Sequence, residues 1–288
     1  MSAQSTSLTR AVRHRAARLQ WGKLLIHATL IAGAFVMVIP FLWMLTLSLK
    51  PAALTHQPPY LIPTHFEVAN YDKAWQAAPF ARYYLNSMVM TAGIVLGQVL
   101  LSSLAAYAFA RLKFPGRDAL FLVFLATMMV PFHVILIPSY LIIDRLGWID
   151  SYAALIVPRM VSAFGIFLLR QYYQGIPREL DEAAMIDGAS RLGIWWRIIL
   201  PLSKPIIATA SIFSLIGSWN SFMWPLVMTD RPELRVLQVG LSYFNQEAST
   251  QTTLLMAAST FSIVPILILF FLAQKQIIAS YARTGLKD

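Results

Sequence analysis

The chain is written as long apolar blocks separated by more polar stretches of very unequal length. Six blocks come close to or exceed the roughly 20 residues that an α-helix needs to cross a bilayer. They are residues 24–49, 84–110, 119–143, 152–169, 206–228 and 252–273. The pattern therefore predicts an all-α membrane protein with six transmembrane helices.

The longest polar interruption between two apolar blocks, residues 177–201, also carries the densest run of local structural signals. Pro177 suits the first turn of a helix, where its missing N–H costs nothing. Glu179, Asp181 and Glu182 then lie near the positive end of that helix dipole. Ala183, Ala184, Met185 and Ile186 continue the helix, and Gly188 can end it in a left-handed cap. Ser190 can N-cap a second short helix through Trp195 and Trp196, which Pro201 stops or kinks. The expected unit is a helix–turn–helix elbow beside the membrane.

Inside the spans, Gly93 and Gly97 form a GxxxG pair. Such residues let helices approach closely, and packing of the chain against itself is the preferred reading. Pro40, Pro131, Pro138, Pro158, Pro225 and Pro265 each remove a backbone hydrogen bond. Freed carbonyls are tolerated in lipid only where protein or a watery cavity serves them, so this distribution suits a bundle with a pathway. It also suits the ordinary abundance of proline in membrane helices.

Composition agrees with a membrane location. Apolar residues make up 58% of the 288 positions and charged residues 12%, about half the charged share of a soluble domain. There is no cysteine, which excludes disulfides, thiolate nucleophiles and cysteine metal sites. The net charge of +10 fits a positive-inside bias and anionic headgroups better than nucleic acid, because no basic stripe is interleaved with exposed aromatics. Arg10, Arg13, Arg15, Arg18 and Lys23 precede a first apolar block too long for a cleaved signal peptide, so that block is expected to be retained as a span.

The same bias sets orientation. With the N-terminus in the cytoplasm, that side receives Arg111, Lys113 and Arg117; Arg170, Arg178, Arg191, Arg197 and Lys204; and Lys275, Arg283 and Lys287. The other side receives fewer: Lys50, Lys73 and Arg82, then Arg145, then Arg231 and Arg235. Both termini and the elbow are therefore expected in the cytoplasm of a multi-pass protein. The loops 50–81 and 230–251 fall outside.

Missing chemistry narrows the function. All thirteen acidic residues lie in loops or at span ends, whereas a proton-coupled carrier ordinarily needs an ionisable relay within the membrane. The ionisable residues well inside the spans are His27, His133 and Arg159. His27 lies near a boundary, and His133 can bond a carbonyl freed by Pro131. Arg159 costs roughly 2.5–3.5 kcal/mol at a helix centre, so it is expected to face protein or water, either paired structurally or lining a pathway. No GxxxxGK[ST], HExxH or GxSxG occurs, so neither a P-loop nor a familiar catalytic constellation is present.

The residues of the elbow carry a family resemblance. Glu182-Ala183-Ala184, Gly188 after three residues, and Ile198-Ile199-Leu200-Pro201 after nine more resemble the EAA motif of the membrane subunits of binding-protein-dependent ABC importers. Ser48-Leu49-Lys50-Pro51, Leu61-Ile62-Pro63, Asn70-Tyr71, Trp219-Asn220, Trp224-Pro225-Leu226 and Thr284-Gly285-Leu286-Lys287 resemble the maltose-type carbohydrate permeases in particular. The tail departs from the family around residues 281–285 and at Asp288.

The resemblance implies a type I ABC importer permease fold with a cytoplasmic coupling helix. It implies a cytoplasmic segment 1–23, a transmembrane domain 24–277 with core 82–277 and coupling loop 177–201, and a cytoplasmic tail 278–288. Glu182, Ala183, Ala184, Asp187 and Gly188 would form the face that docks on an ATPase, and Leu200 and Pro201 would set the exit to the fifth span. Asn220, Trp219, Trp224 and Arg159 are the candidate pathway residues. For Asn220, hydrogen bonding between helices competes with that role, and for the tryptophans, interface anchoring.

The implied partners are a second, similar permease, two cytoplasmic ATPases, an extracytoplasmic sugar-binding protein and the lipid of a bacterial or archaeal cell membrane. The chain would bind no cofactor, ATP and Mg belonging to the ATPases, and would be no enzyme. The implied function is a sugar importer's permease subunit. The alternatives are a self-sufficient secondary transporter, or a permease for a polyol, glycerol phosphodiester or other small solute.

Overall fold

The computed structural model describes the backbone of residues 3–60, 62, 65–245 and 251–284. It describes the side chains of residues 23–60, 62, 65–244, 251–271 and 274. The tail residues Gly285, Leu286, Lys287 and Asp288, the loop residues Leu61 and Pro63, and the side chains of Arg10, Arg13, Arg15, Arg18, Lys275 and Arg283 lie outside this set.

The described residues are helical with connecting turns, and no strand occurs among them. They form two compact units, residues 1–74 with 250–260 and residues 75–249 with 261–288. Four helical stretches are long and apolar enough to span a membrane: Lys23–Ser48, Phe80–Arg111, Tyr152–Gln174 and Thr252–Phe271. Two bent pairs bring the total to as many as six.

In the first unit, two stretches that looked like separate family features form one hydrogen-bonded knot. The Asn70 amide donates to the carbonyls of Ser48 at 3.0 Å and Lys50 at 2.8 Å, satisfying acceptors that a helix end leaves open. Ser48 Oγ lies 2.7 Å from the Tyr71 hydroxyl. Lys50 is only 2% exposed, and its ammonium donates to the carbonyls of Gln57 and Pro59 at 2.9 and 2.7 Å. A buried cation is tolerated when its donors are met in this way.

In the second unit, the glycine pair packs the chain against itself. A Cβ on Gly93 would come within 2.8 Å of Ile156 Cδ1, and one on Gly97 within 2.5 Å of Met160 Cγ. At Gly97, where Met160 Cβ also lies within 2.6 Å, a side chain would push Phe80–Arg111 away from the segment after Tyr152, whereas at Gly93 the end of the Ile156 side chain can turn aside.

Three expected spans are not continuous; the fourth passes from Tyr152–Ile156 through the 3-10 turn Val157–Arg159 to a newly capped helix, Ala163–Gln174. The third divides into Arg117–Thr127 and Phe132–Arg145, bent by 100°. Pro131 accounts for the break, though not for its angle: it has no N–H for the turn before it and disfavours helical geometry at Val130. The fifth runs as Lys204–Trp219, opens at Asn220, and resumes as Met223–Met228. Asn220 Nδ2 donates to the Ile216 carbonyl at 3.0 Å. Pro225 offers no N–H with which to carry the helix through.

The remaining prolines fall differently. Pro40, Pro138 and Pro265 sit inside helices, whereas Pro158 sits in the short 3-10 turn Val157–Arg159.

Candidate functional site: the elbow and the cavity

The elbow is built from Glu179–Ile186 and a second helical stretch, Arg191–Leu202. The first helix starts at Glu179, with Pro177 just ahead of it rather than within it. Its carboxylates Glu179, Asp181 and Glu182 occupy the first turn. Its end is a Schellman cap. The Ala189 N–H donates to the Ala184 carbonyl at 2.8 Å and the Gly188 N–H to the Met185 carbonyl at 3.0 Å. Gly188 takes φ +81°, a conformation that costs residues with a Cβ about 1–2 kcal/mol.

Ser190 then caps the second stretch, accepting from the Gly193 N–H at 3.1 Å. That stretch widens to a π-turn over Trp195–Ile199, just before Pro201, whose ring disfavours a regular i−4 bond. It ends at Leu202, one residue beyond Pro201, and the axis turns by 82° into Lys204–Trp219.

Packing makes the elbow rigid. Ile194 and Ile199 are fully buried against Tyr107, Ile166, Leu169 and Tyr173, and each such side chain contributes about 1.5–3 kcal/mol. A buried ion pair ties the elbow to the end of the second span. Arg111 Nε lies 3.4 Å from Asp181 Oδ2, with side chains 2% and 8% exposed. Arg111 Nη2 also donates to the Ile176 carbonyl at 2.7 Å. Beside the pair lies a cleft of about 450 Å3 lined by Lys113, Arg178, Glu182, Met185 and Arg191 as well.

The outer face is different. Glu182, Ala183, Asp187 and Gly188 are exposed, and Ala184 is half-buried. Ile186 is 87% exposed. Leu180 and Met185 of the same short helix are 41% and 36% exposed, so several apolar side chains stand bare here beside charged ones. Leu200 packs against the elbow's core while Pro201 is exposed.

Of the pathway candidates, Arg159 and Trp224 come together, the guanidinium carbon 6.0 Å from the ring centroid. Trp219 is 3% exposed, and its indole N–H donates to the Ser262 carbonyl at 3.2 Å. Trp224 is 4% exposed within a cluster that includes Met90, Leu136 and Met228. Neither ring offers a free face for stacking. Asn220 is exposed, with Gln238 Nε2 at 3.5 Å from its Oδ1. His133 is exposed, its ring edge-on to Phe132, and His27 Nδ1 lies 2.7 Å from the Lys23 carbonyl. Arg159 lines a cavity of about 190 Å3, together with Gln98, Ser162, Phe164, Ser211, Phe213, Ser214 and Ser218.

Residues 98–282, which include both the elbow and this cavity, match the family model described as binding-protein-dependent transport system inner membrane component. The chain belongs to this family. The permease is 34% identical over 258 residues to an arabinooligosaccharides transport system permease protein of Halalkalibacterium halodurans, a match covering 88% of this chain and 92% of the relative. It is 33% identical over 258 residues to an sn-glycerol-3-phosphate transport system permease protein of Yersinia pestis, covering 86% and 92%. Among solved structures it resembles a chain of a bacterial ABC transporter involved in the import of the acidic polysaccharide alginate. The TM-score there is 0.79 at 26% identity, covering 88% of this chain and 95% of that one. The permease thus has the fold of an ABC importer's membrane subunit.

Sequence reasoning missed three features of the permease: the Arg111–Asp181 clamp, the bare Ile186, and the polar wall formed by Gln98 and the serines. Asp181 reads as one more helix-dipole carboxylate, and its partner comes from a distant part of the chain. Ile186 did carry a signal, an isoleucine at the end of a polar elbow directly before Asp187.

Proposed function

We propose that this permease forms one of the two membrane halves of an ATP-driven importer for a sugar or a sugar-like solute. In this reading both termini and the elbow lie in the cytoplasm, on the side favoured by Lys and Arg. The elbow enters a groove of an ATPase subunit, with Ile186, Ala183 and Ala184 seated and Glu182 and Asp187 at the rim. Closure of two ATPases around ATP and Mg then moves the elbow. Because Arg111–Asp181 clamps it to the second span, the displacement passes into the membrane. The chain itself performs no covalent chemistry and holds no cofactor. A second permease completes the pathway, and an extracytoplasmic binding protein delivers the solute. The sugar class is supported by the arabinooligosaccharide relative.

The observation that carries this reading is Ile186, 87% exposed on a capped and clamped helix. It is tested with Gly188→Pro, since proline cannot adopt the φ of +81° that the cap uses. The expected outcome is normal membrane insertion, loss of ATPase co-purification and loss of coupled uptake. Wild-type uptake at wild-type expression would remove the elbow from the coupling path. Ion-gradient transport by the purified chain alone would restore the secondary-transporter alternative.

A further inference from the structure

Arg159 stands in the short turn Val157–Arg159, inside the span Tyr152–Gln174. No carboxylate among the described residues pairs with it; the neighbours of its guanidinium are rings. The centroids of Phe132 and Trp224 lie at 5.9 and 6.0 Å. An arginine at membrane depth ordinarily meets a counter-charge, protein carbonyls or water. Here the charge borders a cavity of about 190 Å3, smaller than the roughly 300–1,000 Å3 of drug-sized sites.

The rest of the lining has the complementary chemistry. The Gln98 amide donates to the Arg159 carbonyl at 2.8 Å, which fixes its orientation and leaves its oxygen able to accept from a hydroxyl. Ser214 Oγ is buried without a hydrogen-bond partner. Phe164 and Phe213, in edge-to-face contact at 5.9 Å, supply an apolar wall.

We infer that Arg159 is the anion-recognising residue of a solute site in this subunit, and that the solute carries a carboxylate or a phosphate. The guanidinium fork pairs with either group through two parallel N–H···O bonds. A neutral sugar would leave the cation uncompensated. This inference rests on the importer reading above and adds to it the charge of the solute.

The test uses the complete transporter, with its partner permease and ATPases, in lipid nanodiscs and without the binding protein. Binding of galacturonate, sn-glycerol 3-phosphate and glucose is measured by titration calorimetry for wild type, Arg159→Gln and Arg159→Lys. Wild type is expected to bind one of the two anions in preference to glucose, and which one it binds separates a sugar acid from a phosphate ester. Arg159→Gln should weaken that binding by about tenfold, as expected for losing a charged hydrogen bond. Arg159→Lys should retain more of it, which separates recognition from folding. Binding of neither anion above the glucose level, or equal binding by wild type and Arg159→Gln, overturns the inference. Co-purification of the ATPases, scored on the same samples, tests the importer reading separately.

Discussion

The elbow and the cavity each hold an arginine inside the protein, and they treat it in opposite ways. At the elbow, Arg111 has Asp181 at 3.4 Å and the Ile176 carbonyl at 2.7 Å. At the cavity, Arg159 has two aromatic rings near 6 Å and borders a space lined by Gln98 and several serines. A charge answered within the chain fixes a geometry. A charge left for something else to answer provides a place for a ligand. The first arrangement suits a lever that must transmit motion, and the second suits a surface that must bind and release.

The largest expected effect comes from making the elbow resemble the cavity. Asp181→Ala leaves Arg111 buried and unpaired, which costs about 3–5 kcal/mol. The melting temperature of the detergent-solubilised chain should fall clearly, and ATPase association should weaken with it. An unchanged melting temperature would mean that the clamp does not hold the elbow.

A smaller change loosens the elbow without touching its charges. Ser190→Ala removes the oxygen that accepts from the Gly193 N–H and costs about 1 kcal/mol. Hydrogen exchange should quicken over residues 191–196 and stay unchanged at the cavity. Uniform protection in the variant would show that the cap contributes nothing there.

The smallest effect is expected where the charge has no partner to lose. Arg159→Met removes an uncompensated cation and leaves the rings in place. The cation–π contacts it gives up are worth about 0.5–2 kcal/mol, and the relief of desolvation offsets them. The melting temperature should stay level or rise. A fall as large as that of Asp181→Ala would make Arg159 a structural residue, and the contrast between the two sites would disappear.

What could be read in advance divides along the same line. The elbow was legible because its signals act over three to five residues. Gly188 caps Glu179–Ile186, Ser190 caps the next stretch, and Pro201 disturbs the turn before it. The membrane class was equally legible, because it depends only on runs of apolar residues. The clamp was not, since Arg111 and Asp181 meet only after the second span and the elbow have packed. The cavity was half legible. Arg159 stood out as costly in lipid, but nothing in the chain order brings Gln98 and Ser214 to it. The broken third and fifth spans fall between these cases: Pro131 and Pro225 were visible as breakers, but the 100° bend is set by packing.

The central claim is that the bare face of the elbow lies in the cytoplasm and is covered by an ATPase. The chain contains no cysteine, so a single Ile186→Cys substitution reports this face without background. Labelling by a membrane-impermeant maleimide should occur in inside-out vesicles, be absent in right-side-out vesicles, and be blocked when the ATPase subunits are bound. Labelling from the outside, or labelling that bound ATPase leaves unchanged, would contradict the account.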